Sequence, residues 1–292
     1  MRLSDIGEFG LLRELESRGL AQRIENDAAR FTPDLVVTQD ALVEDVHFRL
    51  DWTSRRDLGF KAAAVNVSDL SASGAEPEAL IVSLGLPGES ELADVVELYE
   101  GMAEAGVPVL GGDTTSAERL YLSITAIGRA ERVPGRSGAR PGDLLVVTGP
   151  LGASAAGFHC LSEGIDSPLV RAHLRPPLRV AEGRELARSA HAMLDLSDGL
   201  ASDSLRIAER SGCRLVVELE RVPIAEGVQE IADRIDDDVC ALACGFGEDY
   251  ELLAAVPEPG RFTVIGRCEK GEGVLFLQDD EPVELRGWDH FR

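Results

Sequence analysis

The sequence predicts an α/β protein with mixed sheets, organised as two halves. Segments of helical and of strand periodicity alternate along all 292 residues. Many connections between them are of hairpin length, which favours mixed sheets over fully parallel ones. Val67-Ser68-Asp69-Leu70-Ser71 is echoed by Leu196-Ser197-Asp198-Gly199-Leu200, as two related halves would produce. The length accommodates two ordinary domains or one large α/β unit with a substantial core.

In chain order, residues 5–21 carry an amphipathic helical pattern, with Ile6, Phe9, Leu11, Leu12, Leu15 and Leu20 as its apolar set. A strand at 34–38 runs into Gln39-Asp40. Residues 57–73 form an Ala-rich helix, with Gly74 placed to cap it. Leu80–Leu86 is β-type, and 90–105 is an acidic amphipathic helix. Val107-Pro108-Val109-Leu110 enters Gly111-Gly112-Asp113 as a strand enters a ligand loop, and Tyr121–Gly128 is a further strand. Pro134, Gly135, Gly138, Pro141 and Gly142 mark 130–143 as a linker, dividing the chain into 1–138 and 139–292. Beyond it come a strand at 144–149 and a Gly/Ala-rich helix start at 152–157. Helices at 178–190 and 200–211 flank a turn at Asp195–Gly199. Strands follow at 214–219, 251–256, 262–265 and 273–277.

Composition narrows the partners. With 52 acidic against 29 basic residues the formal charge is −23. Nucleic acid and anionic membranes need a positive footprint and are disfavoured. No stretch reaches the length of a membrane span, and the first ten residues lack a signal-peptide core. Five dispersed cysteines read as reduced thiols in a cytoplasmic protein. Cys240 and Cys244 lie one helical turn apart, but no second pair or nearby histidine completes a metal set.

The chemistry-bearing signal is acidic. Asp27, Asp40, Asp69, Asp113, Asp195 and Asp198 sit in five short polar segments, the last two sharing one, of a chain with only two lysines, Lys61 and Lys270. An isolated aspartate is usually a cap or a turn residue. Six beside Gly, Ser and Thr point to a shared pocket held by a hard, oxygen-liganded cation such as Mg2+. A carboxylate about 4 Å from a phosphate oxygen is repelled by roughly 4 kcal/mol at an effective dielectric near 20, unless a cation intervenes. Phosphate chemistry by metal rather than by lysine is thus the expectation. Arg136 and the glycine-loop N–H groups stand ready as further donors. There is no Walker loop and no protein-kinase signature, and Gly149-x-x-Gly152-x-x-x-x-Gly157 has the wrong spacing for a dinucleotide fingerprint. An acidic, aromatic segment, Gly247-Glu248-Asp249-Tyr250, opens a strand. Trp288 near the terminus suits stacking on a flat cationic ring.

Taken in order, these segments resemble the thiamine-monophosphate kinase family, within the superfamily that includes aminoimidazole ribonucleotide synthetase and selenophosphate synthetase. The resemblance runs from Ile6 to Phe291. It rests on Thr38-Gln39-Asp40, Leu42 through Phe48, Lys61 through Asp69, Gly74-Ala75-Glu76-Pro77, Gly111 through Thr115, Arg136 through Asp143, Asp195 through Leu200, Gly247 through Leu252, and Gly287 through Phe291. It implies a PurM-like, dimeric architecture whose N-terminal half builds a shared barrel. The implied activity is ATP-dependent phosphorylation of thiamine phosphate to thiamine diphosphate. Asp27, Thr38, Gln39, Asp40, Asp69, Asp113, Asp195 and Asp198 would hold several Mg2+ ions, with Asp40, Asp69 and Asp113 central to catalysis. Tyr99, Gly112, Asp113, Arg136 and Ser197 match nucleotide contacts; His47, Glu248 and Trp288 match contacts to the thiamine moiety. Where the family reads Gly-Asp-Asp, this chain reads Glu25-Asn26-Asp27, and Phe246 stands where small residues are usual.

Other readings start from the same residues. Selenophosphate synthetases carry a reactive cysteine near the N-terminus, whereas the first here is Cys160; the hydrogenase-maturation relative ends in cysteine, whereas this chain ends His290-Phe291-Arg292. Aminoimidazole ribonucleotide synthetase fits the fold but leaves Val46-His47-Phe48 and the terminal Trp-Asp-His-Phe without a role. A non-catalytic nucleotide or thiamine diphosphate sensor would draw on the altered Glu25-Asn26-Asp27 segment.

Overall fold

The computed structural model describes residues 3–20 and 26–287. It begins with α1 (Leu3–Ser17), broken at Gly7, followed by β1 (Ala29–Arg30) and β2 (Leu35–Val43). Next come α2 (Arg55–Ala72), β3 (Glu76–Leu86), α3 (Leu92–Ala103), β4 (Val109–Ser116) and β5 (Tyr121–Arg129). After the Pro/Gly segment lie β6 (Leu144–Val147), α4 (Ala153–Glu163), α5 (Leu169–Leu174), α6 (Val180–Ala187), β7 (Ala192–Asp195) and α7 (Leu200–Ser211). The chain finishes with β8 (Arg214–Glu218), α8 (Val228–Ile235), α9 (Val239–Gly245), β9 (Leu252–Val256), β10 (Thr263–Glu269), β11 (Val274–Gln278) and β12 (Glu281–Val283).

The strands form two sheets, one on each side of the Pro/Gly segment. The first has the order β1-β2-β5-β3-β4 and the second β12-β11-β8-β10-β6-β9-β7. Both are mixed: β3 and β4 are parallel, as are β8 and β11, while the other pairings are antiparallel. The α/β class expected from the alternating periodicities is the observed one.

Helix α2 organises the first half. Ser54 caps its N-terminus by accepting from the Asp57 N–H, and Leu58, Val67 and Leu70 are buried against β3 and β5 residues Leu80, Leu84, Leu122 and Ile124. Helix α3 lies very close to it. A Cβ at Gly59 would fall 1.9 Å from Leu98 O, and one at Gly101 would fall 1.9 Å from Arg56 O. The contact is between backbones, so a methyl group cannot be absorbed by a rotamer change. Gly59→Ala is expected to cost about 1–3 kcal/mol, read as a lower urea midpoint at unchanged slope.

The second half has its own core around Leu145, Leu194, Leu215 and Leu253. A third cluster joins Ala72 at the end of α2 to Val146, Leu186 and Met193, so α2 packs against both halves. Its Ser68 and Asp69 side chains consequently reach Asp195 at the end of β7. Among the described residues, no helix is long and apolar enough to cross a membrane.

Two local expectations need revision. Strand β2 does not stop before Asp40 but continues to Val43, paired with β5 throughout. Likewise Gly111-Gly112-Asp113 is not a loop: β4 carries on through Ser116 along β3.

Candidate active site

Alternation along β2 decides which of its side chains can meet. Thr38 and Asp40 point to the face covered by α2, whereas Gln39 points to the exposed face. On α2, Asn66 and Asp69 are three residues apart and share a side. The Asp40 N–H donates to Asn66 Oδ1 at 3.1 Å, and the Thr38 hydroxyl bonds to both Asp69 Oδ2 and the Asp27 carbonyl, the latter at 3.0 Å. From the second half, Asp195 ends β7 and accepts from the Ser68 hydroxyl at 2.6 Å. Carboxylate oxygens of Asp27, Asp69 and Asp195 thereby lie within 4.8 Å of one another.

This crowding has a clear electrostatic signature. Burial, then the neighbouring Asp40, Asp195 and Asp27, hold the Asp69 carboxyl well above the usual carboxylate range. Burial and Asp27 push Asp195 up to about 7, against the opposing Ser68 hydrogen bond. Arg136 offsets part of the charge: its Nε donates to Asp27 Oδ1 at 2.8 Å, and its Nη2 pairs with the same oxygen. On the other side Arg206 pairs with Asp198. Asn26 accepts the Arg136 N–H at 2.9 Å through Oδ1. Its amide thus fastens the start of the linker beside the carboxylates.

These groups line one cavity of about 680 Å³, together with a second, less polar region. There Lys61 Nζ lies 3.0 Å from Glu248 Oε2, and His173 Nδ1 lies 3.2 Å from the same oxygen. An aromatic wall adjoins them: Phe158 is 5.7 Å from Trp52 and 5.1 Å from Phe246, ring centre to ring centre. His47 lines the cavity too, and its Nδ1 accepts the Val43 N–H at 3.1 Å, so the neutral ring carries its proton on Nε2. Glu248 is held by a strained backbone. Gly247, Glu248 and Tyr250 all have positive φ, of 91°, 57° and 51°, and the Glu248 N–H donates to Ser197 O at 2.8 Å. A side chain at Gly247 would meet that same carbonyl, its Cβ only 2.3 Å from Ser197 O.

Asp27, Thr38, Gln39, Asp40, His47, Asp69, Arg136, Asp195, Ser197, Asp198 and Glu248 all border this cavity. The Gln39 amide, however, is engaged on the exposed face, with Ser123 Oγ at 2.8 Å and Thr125 Oγ1 at 3.2 Å. Tyr99, on α3, packs against the first-half core, and Gly112 and Asp113 lie on β4. None of these three lines the cavity formed within one chain. Register explains why: Asp40 is opposite Ile124, Ile124 opposite Val82, and Val82 opposite Gly112. Three strand spacings, about 14 Å, separate β2 from β4. Asp113 also falls on the opposite face from Asp40, being one residue beyond Gly112. Trp288 lies outside the described residues. Sequence reasoning passed over Arg206 and His173, and gave Lys61 no role. A buried lysine in an Ala-rich helix was the one available signal.

Comparison with known proteins defines the class. Residues 25–130 match the N-terminal domain of AIR synthase related proteins and residues 140–277 match the C-terminal domain. Thiamine-monophosphate kinases from Aquifex aeolicus and Mycobacterium tuberculosis are 35% and 36% identical to this chain. The alignments cover 100% of both proteins in the first case, and 99% of this chain and 93% of the relative in the second. The chain belongs to the thiamine-monophosphate kinase family. The solved structure of AaThiL complexed with AMPPCP and TMP superposes with a TM-score of 0.92 at 35% identity, covering 99% of each chain.

Proposed function

We propose that this chain transfers the γ-phosphoryl group of ATP to the phosphate of thiamine phosphate, yielding thiamine diphosphate and ADP. The observation that carries this reading is the convergence of Asp27, Asp69 and Asp195 within 4.8 Å in the cavity that also holds Glu248 and the aromatic wall. Its acidic region suits cation-bound phosphates, and its less polar region suits a flat cationic ring. The likeness to a relative that holds AMPPCP and TMP supports the same assignment.

The donors are carboxylate and hydroxyl oxygens, as a hard divalent cation requires. Asp27, Asp69 and Asp195 would hold Mg2+, with Thr38, Asp40 and Asp198 adjoining them. When bound, Mg2+ supplies charge neutralisation for the phosphates. Arg136 is positioned to bind phosphate oxygens, fixed by Asp27 and by the backbone bond to Asn26. Glu248 and His47 orient the acceptor. A phosphate oxygen of thiamine phosphate forms the new P–O bond, while the bond from the β,γ-bridging oxygen to the γ-phosphorus breaks and its electron pair leaves with ADP. The second pKa of a phosphate monoester is about 6, so the attacking oxygen is already ionised at neutral pH and needs no strong base. The protein's task is alignment and charge balance.

Dimerisation supplies what one chain lacks. Strand β4 is an edge strand exposed along nearly its whole length, with Leu110 71% accessible. A second copy covering it would close the first-half sheets into a shared barrel. Residues Tyr99, Gly112 and Asp113 would then join the site of the partner. The join between halves falls near residue 138, in the Pro/Gly segment between the two sheets. The five unpaired cysteines fit a cytoplasmic setting.

Incubating the purified protein with Mg·ATP and thiamine phosphate should yield thiamine diphosphate; nucleotide binding without product would favour a sensor instead. Metal binding should also be visible as stability. Asp195 titrates near 7 when folded, against 3.8 when unperturbed. A carboxyl raised in this way contributes stability below its unfolded value and loses it as pH rises through the folded value. The metal-free protein should therefore weaken between pH 4 and 7 through this cluster, and Mg2+ should restore it. At a hundredfold excess over its dissociation constant the gain is about 2.7 kcal/mol, a rise in Tm of roughly 5 °C. Thermal scans should show the Mg2+ increment growing from pH 5.5 to pH 8.

A further inference from the structure

We infer that Lys61 is a positioning residue for the acceptor: from α2 of the first half it fixes the Glu248 carboxylate of the second half in the charged form and orientation that receive the cationic ring of thiamine phosphate. This rests on the functional reading above and assigns a role to a residue that does not itself need to touch either substrate.

The geometry is specific. Lys61 is 3% exposed, an unusual place for a lysine in a chain that otherwise uses arginine almost throughout. Its Nζ meets Glu248 Oε2 at 3.0 Å, in a contact that spans 187 residues of sequence. His173, on α5, approaches the same Oε2 at 3.2 Å, and Ser154 Oγ lies 3.0 Å from His173 Nδ1. The backbone of Glu248 is in the left-handed region and clamped to Ser197 O, so the side chain leaves from a fixed point. A carboxylate tethered at both ends is pre-organised for a ligand.

Charge decides which neighbour does the work. Lys61, His173 and His47 all face Glu248, as do Asp249 and Tyr250 on its own segment. Burial disfavours the Glu248 anion, but the Lys61 charge, followed by His173 and His47, outweighs it and holds the pKa below its usual value. Burial and the positive charge of Lys61 push His173 down to about 4, so its imidazole is neutral at physiological pH. At that pH His173 supplies no charge to Glu248, whereas Lys61, the largest influence favouring the anion, still does. The ammonium of Lys61 keeps Glu248 ionised, and the ionised carboxylate attracts a thiazolium ring.

The test is a double-mutant cycle with Lys61→Met, Glu248→Gln and the pair together, measured as steady-state kinetics with each substrate varied. Lys61→Met should raise KM for thiamine phosphate at least tenfold near pH 6.5, and KM should recover as pH rises and Glu248 ionises unaided. KM for ATP should change much less. Lys61→Arg should retain most of the affinity. In the Glu248→Gln background Lys61→Met should add nothing, because the residue it acts through is already neutral. The double variant leaves no unpaired buried charge, so it keeps the cycle readable should Lys61→Met alone fold poorly. A further loss from Lys61→Met on top of Glu248→Gln, or an equal rise in KM for both substrates, would overturn the inference. Absence of turnover in the wild-type protein would overturn the kinase reading and this role with it. Normal wild-type turnover with unchanged KM in Lys61→Met would overturn this role alone.

Discussion

Asp69→Asn is expected to abolish turnover while leaving the protein folded and, without divalent ions, more heat-stable than the wild type. The two effects have one cause. Asp69 is a buried carboxylate beside Asp27, Asp40 and Asp195, and both its burial and these neighbours oppose its charge. Two such charges about 4 Å apart repel by roughly 4 kcal/mol at an effective dielectric near 20. Asparagine has the same shape, can still accept the Thr38 hydroxyl through Oδ1, and removes that repulsion. The same change deletes an anionic oxygen from the set proposed to hold Mg2+ against the phosphates. A loss of kcat of about a thousandfold or more, equivalent to roughly 4 kcal/mol, is the expected scale. The Mg2+-dependent rise in Tm should shrink in parallel. Near-normal kcat at saturating Mg2+ would count decisively against the carboxylate site.

Much of this was legible because the informative segments are short and locally determined. Helix α7 spans the residues that its helical pattern marks, and β8, β9 and β11 fall within a residue or so of the apolar runs that mark them. The meeting of Asp27, Asp69 and Asp195 could be anticipated from their short polar segments, since only two lysines stand among 29 basic residues against 52 acidic ones. What the sequence hid was long-range. Gly111 through Ser116 has the composition of a loop, yet becomes β4 because β3 supplies a ladder of parallel hydrogen bonds. No local propensity encodes a partner strand. Helix α8 was overlooked although Val228, Ile231, Ala232 and Ile235 follow helical spacing; at eight residues its signal is brief. Helices α5 and α9 are shorter still. Lys61 illustrates the same limit. Its burial is plain in the structure, but its partner lies 187 residues away.

Mixing two inactive variants should restore activity if the site is shared between subunits. Asp69 belongs to the cavity formed within one chain, whereas Asp113 lies on the exposed face of β4, across three strand spacings of about 14 Å. Carboxylates that share an ion sit a few ångströms apart, so Asp113 cannot serve the Asp40–Asp69 region of its own chain without a large rearrangement. A second copy laid along the β4 edge could bring it to the neighbouring site. Asp113→Asn alone should then be as inactive as Asp69→Asn. In a heterodimer of the two variants, one site would carry both substitutions and the other neither. Random reassortment makes about half the dimers heterodimers, so about a quarter of wild-type activity should return. If Asp113 instead acted within its own chain, every site in the mixture would carry one substitution and no activity would return. Leu110→Arg, which places a charge on a side chain 71% exposed on the same edge, should lower the dimer fraction in sedimentation and reduce activity with it. Dimers that persist fully in Leu110→Arg, with mixtures that stay inactive, would remove β4 from the interface. Asp113 would then have no route into the proposed site.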